Sequence, residues 1–200
     1  MKKLALTSLL AVFAISSANA ATNYFVGGSA DLAITDADNS TVFNIAPEFG
    51  WKMNADWDLG LAVHFGYDET YLPTNYGVPG DTYLYGLDVF ARYKVAEFGG
   101  FKLLMKGSVG VDFITGSVDM PGVDTETITS MNASIIPMIT YDISESFTLY
   151  ANLNFLAVTA NYQFENDDLG LAKSWALNAG VDSSNVANTR AFQIGFNYNF

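Results

Sequence analysis

The sequence predicts an all-β fold, a closed eight-stranded antiparallel up-and-down transmembrane β-barrel. Large apolar residues recur at every second position in eight segments, which is the period of a β-strand. Only 15 % of the 200 residues are charged, whereas soluble domains carry about 25 %. Short and longer connections also alternate along the chain, as they do in membrane barrels with tight turns on one side and loops on the other.

Residues 1–20 have the organisation of a secretory signal peptide. Two lysines form a positive n-region, residues 4–15 form an apolar h-region, and Ala18, Asn19 and Ala20 form a small-x-small cleavage site. The apolar run is too short for a helical anchor, which needs roughly 20 apolar residues. We therefore expect cleavage after Ala20, export from the cytoplasm, and a barrel that comprises residues 21–200.

The predicted strands are alternating segments bounded by turn residues. The last strand is the clearest, because between Phe192 and Phe200 every even position is large and apolar and every odd position is Gln, Gly or Asn. A soluble strand usually turns Lys, Glu or Arg towards water, so this uncharged polar face is typical of a narrow lumen filled by side chains. The eight predicted strands are residues 23–35, 41–53, 58–71, 82–96, 101–118, 129–143, 147–164 and 189–200.

The connections predict which strand ends share a side of the membrane. The tight turns are residues 54–57, 98–100 and 144–146, and the other connections are residues 36–40, 72–81, 119–128 and 165–188. Longer loops lie on the outer side in bacterial barrels. Twelve acidic residues lie in or beside these outer loops: Asp36, Asp38, Asp68, Glu69, Asp81, Asp119, Asp124, Glu126, Glu165, Asp167, Asp168 and Asp182.

Residues 175–181 also alternate and leave a ninth strand open as an alternative. Membrane barrels of this kind have even strand numbers with both termini on the same side. A ninth strand would place Phe200 on the outer side. We therefore expect this segment to belong to the fourth outer loop.

The apolar parity predicts the surface that faces lipid. Aromatic residues near the strand ends are candidates for the two interfacial girdles: Trp51, Trp57, Tyr67, Tyr71, Tyr93, Tyr141, Tyr162 and Tyr198. The alternative is the apolar core of a soluble sandwich, which the uncharged polar faces disfavour. Lipid-facing candidates on the third, fourth and seventh predicted strands are Leu59, Leu61, Val63, Phe65, Leu87, Val89, Ala91, Tyr93, Leu149, Leu153, Phe155 and Ala157.

The composition excludes several classes of function. A pI near 4.1 argues against nucleic-acid binding, because phosphate contacts need clustered Lys and Arg. The absence of cysteine excludes a disulfide scaffold, a thiolate metal site and a cysteine nucleophile. The single histidine excludes a His-rich metal site.

Charged residues share the opposite, inward parity and predict a network in the lumen. Across the 98–100 turn Arg92 lies opposite Lys106, a repulsive pair unless an acid intervenes, and Lys52 lies opposite Asp58. Unpaired charges in a narrow lumen are unfavourable, so we expect a paired, plugged interior rather than an open pore. The predicted network comprises Glu48, Lys52, Asp58, His64, Asp88, Arg92, Lys106 and Asp112, with Asp88, Asp112 and Glu48 as candidate acids for Arg92.

No residue pattern predicts catalysis, a metal or a cofactor. His64 is not followed two residues later by a serine, so the sequence lacks a Ser/His catalytic pair at this position. We expect a structural histidine near Glu48 rather than a catalytic one. Asp36 and Asp38 have a calcium-like spacing, but the loop lacks the central glycine and downstream glutamate of an EF-hand. A solvated acidic loop is the favoured interpretation.

The carboxyl end, Phe196-Asn197-Tyr198-Asn199-Phe200, resembles that of outer-membrane β-barrels. Together with the strand number and the turn asymmetry, it makes the chain similar to the small eight-stranded OmpA/OmpX-type family of porin-like outer-membrane proteins. This resemblance implies an outer-membrane location and contact with outer-membrane lipid and lipopolysaccharide. It also implies that periplasmic chaperones and the barrel-assembly machinery handle the chain, with Phe196, Tyr198 and Phe200 as the assembly signal.

Two functions follow as expectations. The first is a non-enzymatic barrel with a structural or surface-interaction role, exerted through its acidic outer loops on an unknown external ligand. The second is a narrow porin-like channel for ions or small solutes.

Overall fold

The computed structural model of the chain describes residues 23–35, 40–68, 81–117, 127–167, 170–179 and 192–200. The predicted signal peptide lies outside these residues. Among them no helix is long and apolar enough to cross a membrane. Their strands are β1 (Tyr24–Thr35), β2 (Ser40–Lys52), β3 (Trp57–Asp68), β4 (Asp81–Phe98), β5 (Phe101–Ser117), β6 (Thr127–Asp142), β7 (Phe147–Leu153), β8 (Val158–Gln163), β9 (Ser174–Ala179) and β10 (Phe192–Asn199), with one 3₁₀ turn at Asn154–Leu156.

Eight of these strands close into a barrel, which confirms the predicted fold class. Neighbouring strands pair antiparallel from β1 to β7, β10 pairs with β7, and β1 pairs with β10 to close the ring. Closure gives each of the eight strands a hydrogen-bonding neighbour on both sides. This arrangement is one of only two ways in which a polypeptide can satisfy its backbone inside a bilayer.

The predicted seventh strand, residues 147–164, is interrupted and does not run as one strand. The 3₁₀ turn at Asn154–Leu156 separates β7 from β8, and both pairs with β6 stop beside it, at Met138 and Ile135. Pro137 lies between these two positions and has no backbone N–H to offer a neighbour. The alternation of apolar residues does not reveal this turn, because the residues around it are also apolar.

The turn also changes which residues face outwards. Leu149 is exposed before it, whereas Val158 and Tyr162 are exposed after it. The outward parity is therefore odd in β7 and even in β8. The expectation of one continuous odd-numbered lipid face through Phe155 and Ala157 was wrong.

The segment from residue 175 is a strand and not only a loop, which corrects the sequence-based expectation. In β9, Trp175 and Leu177 lie opposite Tyr162 and Ala160 of β8, so the apolar side chains of the two strands share one face. β9 and β10 run in the same direction, because each is antiparallel to one of the two halves of the interrupted strand. The closed ring therefore keeps an even number of strands.

The outer surface of the barrel is an apolar belt bounded by aromatic rings. Near the turns, Trp57 packs on Tyr93 with ring centroids 4.9 Å apart, and Phe101 packs on Tyr141 at 4.8 Å. Monomeric soluble proteins rarely expose a continuous apolar belt of this kind, whereas a membrane barrel presents one to the hydrocarbon of the bilayer. Its exposed members include Leu61, Val63, Phe65, Leu87, Val89, Val109, Ile135, Leu149 and Ile194.

Inward-facing glycines make room for the larger lumen residues. A Cβ added at Gly60 would overlap the Phe90 ring, one at Gly86 would overlap the Asp112 carboxylate, and one at Gly110 would overlap that of Asp88. The glycines and the charged residues are therefore fitted to one another.

We expect Gly110→Ala to destabilise the barrel by about 1–3 kcal/mol, the usual effect of overpacking, because the new methyl group must displace the Asp88 carboxylate. Gly107→Ala is the matched control in the same strand, since its nearest neighbour would be the Ser134 carbonyl oxygen at 3.9 Å. Urea unfolding in lipid vesicles measures both. Equal unfolding midpoints for the two variants would contradict the packing argument.

Candidate functional site

The centre of the lumen holds one carboxylate between two cations. Glu48 of β2 accepts a hydrogen bond from Arg92 Nη2 of β4 at Oε2 and another from Lys106 Nζ of β5 at Oε1. The Tyr150 hydroxyl lies 3.4 Å from Oε2. Glu48 and Arg92 are only 3 % and 1 % exposed. Of the three candidate acids for Arg92, the structure thus brings Glu48 to it.

The register explains why this acid is needed. Arg92 and Lys106 are direct partners across the β4–β5 ladder, so two positive charges lie side by side. Glu48 reaches them from β2, which is not a neighbour of either strand in the sheet. The contact therefore spans part of the lumen and ties β2 to β4 and β5, which are not its neighbours in the sheet.

Aromatic rings surround the two cations. The Arg92 guanidinium carbon lies 5.0 Å from the centroid of the Phe25 ring, 4.7 Å from that of Phe90 and 5.4 Å from that of Tyr150. Lys106 Nζ lies 4.7 Å from the Phe90 centroid. Ring faces attract cations most strongly where water is excluded. The cluster of Glu48, Arg92, Lys106 and these three rings, here called the central plug, therefore compensates an excess positive charge without a second acid.

Sequence reasoning missed the three rings of the central plug. Their signal was available, because each is a large aromatic residue at an inward position of a predicted strand. The alternation pattern indicates a lipid-facing or girdle position for outward aromatic residues, but it predicts no role for aromatic residues that face inwards.

A layer of hydrogen-bonded polar side chains lies on the loop side of the central plug. His64 Nε2 is 2.9 Å from Asp88 Oδ2, and Asn132 donates to Asp112 Oδ2 at 2.7 Å. The histidine was expected near Glu48, but its hydrogen-bond partner is Asp88. The reason is the register, in which His64 lies opposite Gly86 and therefore diagonally next to Asp88.

A polar chamber of about 230 Å³ lies on the turn side of the central plug. Lys52 and Asp58 are register partners and both line it. Lys102 bonds to Asp142 across the β5–β6 ladder, and Lys94 lies 3.5 Å from Asp56. These pairs are partly exposed, so each adds little stability and leaves the chamber wet.

The residues of the expected assembly signal lie at the closing seam. Phe196 and Tyr198 of β10 face outwards, and Phe196 stacks on Phe147 with centroids 5.6 Å apart. The Phe200 amide donates to the Tyr24 carbonyl oxygen at 3.2 Å, which anchors the end of the chain to β1.

The described part of the chain contains no group of three His, Asp or Glu side chains arranged to hold a metal ion. Its polar lumen residues form hydrogen-bonded pairs instead, such as Ser108 with Ser134 at 2.8 Å. Chemically, this geometry holds charges in place and closes the lumen on the loop side of the polar chamber.

Comparison with known proteins identifies the fold. No protein-family model and no curated protein matches the chain. Among solved structures, it is similar to Neisserial surface protein A, with a TM-score of 0.51 and 15 % identity over 91 % of this chain and 100 % of that one. The chain thus has the fold of the small eight-stranded outer-membrane β-barrels.

Two further structures have lower scores. A major outer membrane protein from Thermus thermophilus has a TM-score of 0.48 and 16 % identity over 90 % of this chain and 100 % of that one. Ail of Yersinia pestis has a TM-score of 0.41 and 13 % identity over 90 % and 99 % of the two chains. At these values neither adds to the argument.

We expect Arg92→Ala to destabilise the barrel by about 3 kcal/mol, because removing one partner of a desolvated charge cluster leaves the others uncompensated. Combining it with Glu48→Gln should be less harmful than the sum of the two single changes. Urea unfolding in vesicles measures stability, and planar-bilayer recording measures conductance.

Lys94→Ala is the control for Arg92→Ala, since Lys94 lies on the same strand but in partly exposed ion pairs. It should leave the unfolding midpoint nearly unchanged. If Arg92→Ala alters neither unfolding nor conductance, the central plug does not hold the walls together.

Proposed function

We propose that the chain is an integral outer-membrane barrel without enzymatic activity, whose role is structural or lies in surface interaction through its acidic outer loops. The observation that carries this proposal is the central plug. Side chains fill the lumen at the level of Glu48 and Arg92, so the barrel is built as a solid support for what its loop side presents.

The outer-membrane location is supported by three features. The leader has the organisation of an export signal. The barrel presents an apolar belt with aromatic girdle residues near its turns. Its fold is that of small outer-membrane barrels.

The surface role is supported by the charge of the loop side. Of the acidic loop residues, Glu165 and Asp167 are described and exposed, and Asp81 accepts a hydrogen bond from Tyr67 at 3.1 Å. Asp68 lies in β3, but its side chain and the other acidic loop residues lie outside the described part. A ligand that complements this side carries positive charge.

A narrow channel is the second candidate, and one observation favours it. A polar chamber lies on the turn side of the central plug and a layer of polar side chains on its loop side, so the plug separates two polar regions of the described lumen. A rearrangement of Arg92 or Glu48 would connect them. A steady open conductance of the wild-type protein in planar bilayers supports the channel, and its absence supports the solid barrel.

Neutralising Glu165 and Asp167 should weaken binding of polylysine to the barrel in nanodiscs about threefold at low salt. The double variant Glu165→Gln with Asp167→Asn is compared with Asp56→Asn and Glu145→Gln, which remove two exposed acids on the turn side. The turn-side variant should bind nearly as the wild type does. Equal losses in both variants would show that the effect is one of net charge and not of the outer loops.

We further propose that periplasmic chaperones and the barrel-assembly machinery deliver the chain and recognise Phe196, Tyr198 and Phe200. Deleting Phe200 should slow insertion and leave degraded or periplasmic material, beyond what fraying of one terminal residue explains. Cell fractionation with heat-modifiable gel migration measures the folded fraction in the outer membrane. Deletion of Ala21 is the control at the other end, and normal levels after loss of Phe200 would remove the claim.

A further inference from the structure

A groove of about 310 Å³ crosses the outer surface of the barrel where β1 meets β10. This volume is at the lower end of the range of small-ligand pockets, about 300–1,000 Å³. The groove contains no charged side chain. Its outward-facing lining residues are Gly28, Ala30, Ile45, Pro47, Leu149, Ile194 and Phe196.

The groove exists because its floor is made of small residues. Gly28 has φ of +147°, and a Cβ there would lie 2.5 Å from the Ala46 carbonyl oxygen, so the position favours glycine. Ala30 extends the floor along β1. Beside it, the β2–β3 ladder has no pairs between Ile45 and Glu48, where Pro47 lacks an N–H.

The walls are bulky and stand above that floor. Ile194 is 67 % exposed, and Phe196 and Leu149 project beside it. On β3 and β4 the outward residues are mostly branched or aromatic. The small floor between bulky walls therefore gives the groove its shape.

The depth of the groove in the membrane determines which part of a lipid can contact it. Gly28 lies four residues beyond Tyr24, which belongs to the exposed aromatic residues near the turns. This spacing is about 13 Å along a strand and roughly 10 Å of depth after the tilt of barrel strands. In an apolar band about 25 Å tall, the Gly28 end of the groove therefore lies in the half nearer the turns, and its Ala30 end, two residues further along β1, lies close to the midplane.

We propose that this groove binds one acyl chain of a phospholipid in the turn-side leaflet. The site is apolar, elongated across four strands, continuous with the lipid-facing belt and at a depth where only hydrocarbon can reach it. Lipid tails are as apolar as the barrel wall, so hydrophobicity does not favour the groove over the rest of the belt. An acyl chain prefers the groove because it packs closely against the floor. The inference rests on the membrane placement proposed above.

The absence of cysteine makes a site-specific test possible. A bimane label is attached to Ile194→Cys at the rim of the groove. The matched control carries the label at Val89→Cys, a residue of β4 that is 61 % exposed. Each protein is reconstituted in phosphatidylcholine vesicles with an increasing fraction of chain-brominated phosphatidylcholine. Bromine quenches the label on contact.

At a low brominated fraction, we expect quenching at position 194 to exceed that at position 89 on the order of threefold, and to saturate. Ala30→Phe, which fills the groove, should abolish this excess. Ala91→Phe, which adds the same ring to β4, should preserve it. Migration on cold and heated gels shows that each variant is folded.

Each other outcome overturns a defined claim. Equal, linear quenching at both positions, or an excess that survives Ala30→Phe, reveals an ordinary lipid annulus only and overturns the groove. Loss of the excess on adding lipopolysaccharide at equal chain concentration overturns the assignment to phospholipid. Absence of quenching at position 89 in fully brominated vesicles instead contradicts the membrane placement.

Discussion

The requirement that every backbone N–H and C=O find a partner inside hydrocarbon governs this structure. An open sheet edge in the bilayer would leave a row of unpaired groups, each costing several kcal/mol. The chain meets the requirement by pairing β1 with β10, the first strand with the last. Once the ring is closed, the period of two assigns each side chain of a spanning strand either to lipid or to the lumen.

Closure at eight strands also fixes how much space the lumen has. Such a barrel is just wide enough for side chains to fill, so volume and charge must be balanced across it rather than along one strand. Glycines take the places beside Phe90, Asp88 and Asp112. One carboxylate, Glu48, serves two cations, and ring faces accommodate the remaining positive charge. The central plug, with a polar chamber on its turn side, is a consequence of this balance.

The sequence was sufficient for whatever depends on local period. Alternation predicted the eight-stranded ring. The 98–100 turn predicted Arg92 opposite Lys106, and the structure has this pair, but it reaches it by a two-residue Gly99-Gly100 turn followed by a register shift between Lys94 and Ala96. The sequence was insufficient for contacts across the lumen, because parity says that Glu48 and Arg92 both face inwards but not which inward residues meet. It also failed at Asn154–Leu156, where a 3₁₀ turn changes the parity without changing the apolar character of the segment. β9 was predicted as part of a loop because membrane barrels have an even number of strands. That rule applies to the strands of the closed ring and does not exclude a further strand paired beside it.

The closing seam links the interior of the barrel to its outer surface. β1 pairs with β2 along its whole length but with β10 only from Phe25 to Ser29. In that short ladder, a Cβ at Gly195 would overlap both the Tyr150 ring inside and the Gly28 carbonyl oxygen. Glycine at 195 thus lets Tyr150 pack towards Glu48 in the lumen, and glycine at 28 lets the β1 backbone lie close to β2. Gly28 and Ala30 leave the outer wall without bulky side chains at this point, so the short seam combines glycine packing against the central plug on the inside, at Gly195, with the groove on the outside.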